Sequence, residues 1–229
     1  IRSCLVGSEM CIRDSIKGFT LLELLVVISI VALVTAAAAP NFNNWNKDRK
    51  VRKAVAQVKN LFVNINTQSQ RGALPFVQVY IKPLADNTAY TKFEIKGLTR
   101  SAYTSRLNSG NPLDCYLSNS FWSTSVDSLG VDDLEIATHI DGESSVCFSQ
   151  NGSHYKTLGK LKNQLNISVD DSTRTTNRYL IICTEESAKK SGGKCSTGLG
   201  LEKPAYMIEW TRFGNVNTFK WSGSDWTKQ

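Results

Sequence analysis

The stretch FTLLELLVVISIVALVTAAAA, from Phe19 to Ala39, decides the fold. It carries one charge, Glu23, and an α-helix of this length spans about 30 Å, the thickness of a bilayer's hydrocarbon core. A cleaved secretory signal would have a shorter apolar core and a small-residue cleavage site after it. The alanines before Pro40 imitate such a site, but the acid argues against one. A carboxylate inside an apolar span costs about 2.5–3.5 kcal/mol on insertion scales, so its presence points to a function. The reading is a transmembrane helix over 19–39 whose one acid needs a cationic partner.

Just upstream, Lys17-Gly18-Phe19-Thr20-Leu21-Leu22-Glu23 resembles the processing region of the type IV pilin family. The resemblance implies a prepilin peptidase that cuts between Gly18 and Phe19 and leaves a methylated Phe19 at the new amino terminus. Glu23 then becomes the fifth residue of the mature chain. Pro40 becomes the twenty-second, where many pilins also have proline and where the ring can kink the helix. The physical logic agrees with the pattern. Cleavage exposes an ammonium one helical turn from Glu23, and a buried ion pair, on the same or an adjoining subunit, can enforce register while adding little stability.

Residues 1–18 read as a leader. Of these, 1 to about 14 are similar to one translated frame of a sequencing-library adaptor and are expected to be foreign, which removes Cys4 and Cys11 from consideration.

A chain of 229 residues fits one anchor plus one compact domain. With 41% apolar and 21% charged residues it is neither a disordered tail nor a polytopic membrane protein. The net charge of +7 suits a solvated basic surface, and also acidic lipid or nucleic acid. Four cysteines follow the apolar run: Cys115, Cys147, Cys183 and Cys195. In an exported domain they suggest two disulfides. Sequence order favours Cys115–Cys147 and Cys183–Cys195 among three pairings. No zinc pattern is present, since there is no Cys-x-x-Cys and the histidines are His139 and His154 alone.

Orientation sets two signals against each other. Lys47, Arg49, Lys50, Arg52 and Lys53 follow the span, against Lys17 before it, and the positive-inside rule would place the large domain in the cytoplasm. The disulfides and the pilin resemblance place it outside, in the periplasm, with the anchor crossing the inner membrane once. That second reading is adopted. The basic cluster just beyond the span also makes membrane lipid a candidate contact.

Over 40–71 the helix is expected to continue in amphipathic form, with Phe42, Trp45, Val51, Val55, Val58, Leu61, Phe62 and Ile65 as one apolar stripe. Gly72 and Pro75 bound it. The remainder, 72–229, reads as a β-rich globular domain. Strand candidates are 76–81, 92–95, 134–137, 146–149, 166–169, 178–183, 206–210 and 217–221, and the irregular Leu84–Ser145 region reads as an insertion. The fold class is α+β, a long amino-terminal helix packed on antiparallel sheet. This layout resembles the GspH/FimT group of pilins. It implies a structural minor pseudopilin or minor pilin that works with other pilins and an inner-membrane assembly platform, in type II secretion or a type IV pilus.

Catalytic patterns are missing: there is no Gly-x-Ser-x-Gly, phosphate-binding glycine loop or zinc-protease helix, so no enzyme and no cofactor are expected. Asp127, Asp132, Asp133, Glu135, Asp141 and Glu143 could hold calcium, but their spacing is not that of an EF-hand loop, and a solvated acidic face is favoured. His139 within that stretch is expected to be solvated, and His154 to lie on the surface. Some FimT-like minor pilins bind DNA. Lys189, Lys190, Lys194, Arg212, Lys220 and Lys228 are the phosphate candidates here, with Trp210, Phe213, Trp221 and Trp226 as stacking candidates against a core role.

Overall fold

A computed structural model describes residues 18–83, 91–110, 113–115, 122, 124–130, 136–170, 173–198 and 200–229; for 37–41, 83 and 124–130 it describes the backbone alone. The first 17 residues, with the leader and adaptor readings and Cys4 and Cys11, lie outside this range. Two units are distinguished, 1–43 and 44–229, and each is described by itself.

Helix α1 covers Leu21–Gln70 and continues through Pro40. In the first unit its large apolar side chains from Leu21 to Val34 are all strongly exposed. Among the described residues no helix is long and apolar enough to cross a membrane; the side chains of 37–39, at the end of the apolar run, are not among them.

In the second unit α1 buries Val51, Ala54, Val55, Val58, Leu61, Phe62 and Ile65. These recur at three- and four-residue spacing and form one stripe. Trp45 was expected in that stripe and is instead 54% exposed. At 100° per residue it lies about 120° around the helix from Val51, off the buried face. Phe42, also expected there, is exposed as well. The helix ends where Gly72 takes φ 73°, a left-handed conformation that favours glycine.

Two five-stranded antiparallel sheets follow. The first runs β3 (Thr124–Gly130), β2 (Thr91–Leu98), β1 (Phe76–Pro83), β5 (Ser144–Ser149) and β6 (Lys156–Gly159). The second runs β12 (Trp226–Lys228), β11 (Val216–Trp221), β10 (Ala205–Trp210), β9 (Tyr179–Thr184) and β4 (Ile136–Thr138). A small hairpin, β7 (Ile167–Val169) with β8 (Arg174–Thr176), completes the described strands. Two short helices, α2 (Arg100–Asn108) and α3 (Glu185–Lys190), start at the N-caps Thr99 and Thr184.

Strand alternation divides the core. Val77, Val79 and Ile81 of β1, Leu180 and Ile182 of β9, and Ile208 and Trp210 of β10 join the α1 stripe in one cluster. Phe62 is central to it, stacked on Trp210 at 5.3 Å between ring centroids and edge-on to Phe148 at 6.2 Å. Residues of the opposite parity build a second layer on each sheet. Phe76, Leu98 and Cys147 pack with Cys115 and Trp122 on the first sheet. Ile181, Cys183, Met207 and Phe219 pack with Cys195 and Trp226 on the second. Each favoured disulfide is present, Cys115–Cys147 and Cys183–Cys195. Each one ties a connecting segment onto the second layer of its sheet.

The eight expected strands are all found, each within a few residues of its predicted bounds. Within the Leu84–Ser145 region, β2 and β3 extend the first sheet and β4 borders the second. Residues 84–90, 111–112, 116–121, 123 and 131–135 of that region lie outside the described residues.

Candidate functional site

Gly18, Phe19 and Thr20 form a non-helical segment ahead of α1, and all three are exposed. A Cβ added at Gly18 would meet no atom within 4 Å, and Phe19 is 80% exposed. The Gly18–Phe19 peptide bond therefore lies open, outside any helical ladder. Thr20 caps α1. Its Oγ1 accepts from the Glu23 backbone N–H at 3.1 Å, and its carbonyl accepts from Leu24 N–H at 3.1 Å. Thr20 and Glu23 thus occupy the N-cap and N3 positions, which places the acid at the positive end of the helix dipole. Sequence reasoning found Glu23 but missed Thr20; the Thr-x-x-Glu spacing was the available signal.

Beyond the cap, the described side chains from Leu24 to Ala36 form an apolar helical surface that continues Leu21 and Leu22. Leu21 is 82% exposed, Leu33 74% and Val34 62%. Contiguous apolar surface on this scale belongs in lipid or against another protein. Ser29 and Thr35 do not break it, because their hydroxyls donate back to the carbonyls of Leu25 and Val31.

At the start of the second unit Asp48 gathers three partners. The Tyr206 hydroxyl donates to its Oδ1 at 2.9 Å, the Lys220 ammonium lies 2.9 Å from the same oxygen, and Arg52 reaches Oδ2 at 2.7 Å. Burial pushes the Asp48 carboxyl up, but the hydrogen bonds from Lys220 and Tyr206 and the charges of Lys220 and Arg52 outweigh it and hold the group below its ordinary range. Lys47 pairs with Glu186 of α3. These contacts fix the start of the packed helix segment to the second sheet and to α3.

The candidate nucleic-acid residues are not an open basic patch. Lys189 pairs with Glu185, Lys190 with Glu202, Lys194 with Asp141 and Lys220 with Asp48. Arg212 lies over the Phe213 ring at 4.7 Å. Trp210, Trp221 and Trp226 are buried in the core, which leaves Phe213 as the exposed one of the four stacking candidates.

In the acidic stretch, Asp141 is held between Lys194 and Lys160, and Glu143 lies 3.7 Å from Lys82. The side chains of Asp127, Asp132, Asp133 and Glu135 lie outside the described residues, and among the described ones no group of His, Cys, Asp and Glu could hold a metal. The expectation of a solvated His139 is overturned. Its ring stacks on Tyr179 at 5.1 Å, its Nδ1 accepts from the Ile181 N–H at 3.0 Å, and burial pushes its pKa down to about 4. His154 is half-buried, edge-on to Phe76.

Comparison with known proteins gives one family match. The prokaryotic N-terminal methylation motif covers residues 13–39, the stretch that contains Gly18, Phe19, the capped helix start and Glu23. No curated protein and no solved structure matches the chain. This motif marks a type IV pilin-like protein, a membrane-anchored or filament-assembled substrate of prepilin peptidase, and a long helix followed by antiparallel sheets is consistent with the pilin fold.

Proposed function

We propose that this chain is a structural minor pseudopilin or minor pilin of the GspH/FimT type, with no enzymatic role. In this reading it crosses the inner membrane once, with residues 44–229 in the periplasm. After cleavage at Gly18 it leaves the bilayer for a type II secretion pseudopilus or a type IV pilus, together with other pilins and an inner-membrane assembly platform.

The observation that carries the reading is the coincidence, on one short segment, of an open Gly18–Phe19 bond, a capped helix start and a lone acid ahead of an exposed apolar surface. A mere anchor needs the apolar surface alone. A subunit that must leave lipid for a filament also needs a processing point and a register device. Glu23 supplies the register: it pairs with the ammonium freed at Phe19, on its own or an adjoining subunit, and subunits offset along the fibre would leave both charges unpaired in an apolar environment.

A second reading keeps the same anchor and makes the domain a fibre-tip module for DNA or a surface ligand. The carboxylate partners of Lys189, Lys190, Lys194 and Lys220 weigh against the DNA form of it. Intact-mass measurement of the mature protein from cells with active prepilin peptidase tests the main reading. It is expected to show a chain that begins at Phe19 and carries one added methyl group. A chain that retains Gly18, or one that begins near Asn41 as a cleaved signal would leave it, refutes it.

A further inference from the structure

Five cations crowd α1 between Lys47 and Lys53, and the fold uses them unequally. Lys47 is bound by Glu186, and Arg52 by Asp48 and the Tyr206 hydroxyl, so both are engaged by the domain. Arg49 and Lys53 are exposed, and neither has a carboxylate within ion-pair distance among the described residues. At 100° per residue, Trp45, Arg49 and Lys53 fall within an arc of about 80°, on the side of α1 opposite the buried Val51 and Val58. The Arg49 guanidinium sits over the Trp45 ring at 5.6 Å.

We infer that this face, Trp45 with Arg49 and Lys53, binds the headgroups of anionic phospholipid; the inference rests on the membrane-anchored reading above. Three features select that partner. The face begins six residues after Ala39, where the apolar run ends. Helical side chains lean toward the helix amino terminus, so long cations here reach back toward that run. Arg49 follows Ala39 by ten residues, the juxtamembrane position in sequence at which basic side chains meet anionic headgroups. The amphipathic indole and the planar cation are the pair suited to that boundary, one for the interfacial carbonyls and one for the phosphodiester.

The tryptophans make the inference measurable. Trp122, Trp210, Trp221 and Trp226 are buried, and Trp45 is the exposed one of the five, so a lipid-borne quencher reports on Trp45. Full-length protein is reconstituted into phosphatidylcholine vesicles that contain a minor fraction of brominated phosphatidylglycerol or, in a parallel sample, the same fraction of brominated phosphatidylcholine. Each cation near an anionic surface enriches the lipid about fivefold at low ionic strength. Quenching by the anionic lipid is therefore expected to exceed that by the neutral lipid severalfold, and to converge with it at high salt. The Arg49→Gln/Lys53→Gln double variant is expected to abolish the excess. Lys162→Gln, an exposed cation elsewhere in the domain, is expected to keep it. Equal quenching by the two lipids overturns the inference, and so does an excess that survives the double variant. Protein that floats with vesicles but shows no Trp45 quenching overturns it too, since another protein surface then covers the face. Inorganic phosphate that erases the excess, where an equal ionic strength of chloride does not, identifies a free-phosphate site and overturns it as well. Failure to float with vesicles refutes the anchor reading itself, which separates the two failures.

Discussion

The Tyr206 hydroxyl of β10 donates to Asp48 of α1 across 2.9 Å, a bond between residues 158 positions apart. Around it, one carboxylate serves a hydroxyl, an ammonium and a guanidinium from the helix and two strands. Asp48→Asn leaves Arg52 and Lys220 facing each other without an anion. The full chain in detergent is expected to lose about 1–2 kcal/mol, read by urea unfolding. Tyr206→Phe is expected to lose about 1 kcal/mol, and the two changes together less than their sum, because they remove parts of one network. The Asp48 carboxyl is held below its ordinary range in the fold, so its contribution is complete above about pH 4 and is lost as pH falls through the lower folded value. Asp48→Asn should flatten that acid limb.

His139 sets a second acid limb, at higher pH. Its folded pKa of about 4 lies below the ordinary histidine value of about 6.5, so the unfolded chain takes up a proton first as pH falls. Stability is full above about pH 6.5 and declines toward pH 4, by at most about 3 kcal/mol. Urea titrations at pH 7.5, 6, 5 and 4.5 are expected to show this decline. His139→Asn keeps an acceptor for the Ile181 N–H without a titrating group. Its stability should lie closer to level across the same range, and an unchanged slope would assign the decline to other groups.

Much of the fold was legible because its strands alternate strictly. Val77, Val79 and Ile81 face one layer while Phe76 and Cys147 face the other, so period-two reading located β1, β5, β9, β10 and β11. The strands that escaped are short or polar: Thr124–Gly130 offers Val126 and Leu129 alone, and Trp226–Lys228 is three residues long. Helix α2 escaped for the same reason; it buries no side chain and rests on its Thr99 cap. At the candidate site, Gly18, Phe19 and Glu23 were readable because a cleavage motif is local. The neutralisation of Lys194 by Asp141 and the burial of His139 beside Ile181 join residues 53 and 42 positions apart, and no local pattern announces them. Trp45 falls outside the stripe because its three-residue spacing from Phe42 does not carry on to Val51, which is six residues further and about 120° around the helix.

The two disulfides should differ in strength. Cys115–Cys147 closes 32 residues and Cys183–Cys195 closes 12. In the chain-entropy account these loops give about 4 and about 3 kcal/mol. Cys115→Ala/Cys147→Ala is therefore expected to lower the urea midpoint further than Cys183→Ala/Cys195→Ala. Both pairs sit in packed layers with Trp122 or Trp226, so shape-preserving alanines are preferable to serines, which would bury hydroxyls. Reversal of the order would show that packing on the second sheet, rather than loop closure, dominates.

Glu23 has two roles that substitution can separate. At N3 it supports the helix start, where its backbone N–H meets the Thr20 cap; as an anion it is expected to meet the ammonium freed at Phe19. Thr20→Val removes the cap acceptor and keeps the charge, whereas Glu23→Gln keeps a hydrogen-bonding N3 side chain and removes the charge. If register depends on the ion pair, Glu23→Gln, like Glu23→Ala, should enter the membrane and be cleaved normally yet be depleted at least tenfold from sheared filament fractions. Thr20→Val should assemble to within about twofold of the parent chain. Gly18 has open space around it, so a larger residue there disturbs no described packing, and a block to cleavage in Gly18→Val would locate the defect in recognition by the peptidase. Equal assembly of Glu23→Gln and the parent chain would reduce Glu23 to a helix-capping residue and remove the ion pair as the register device.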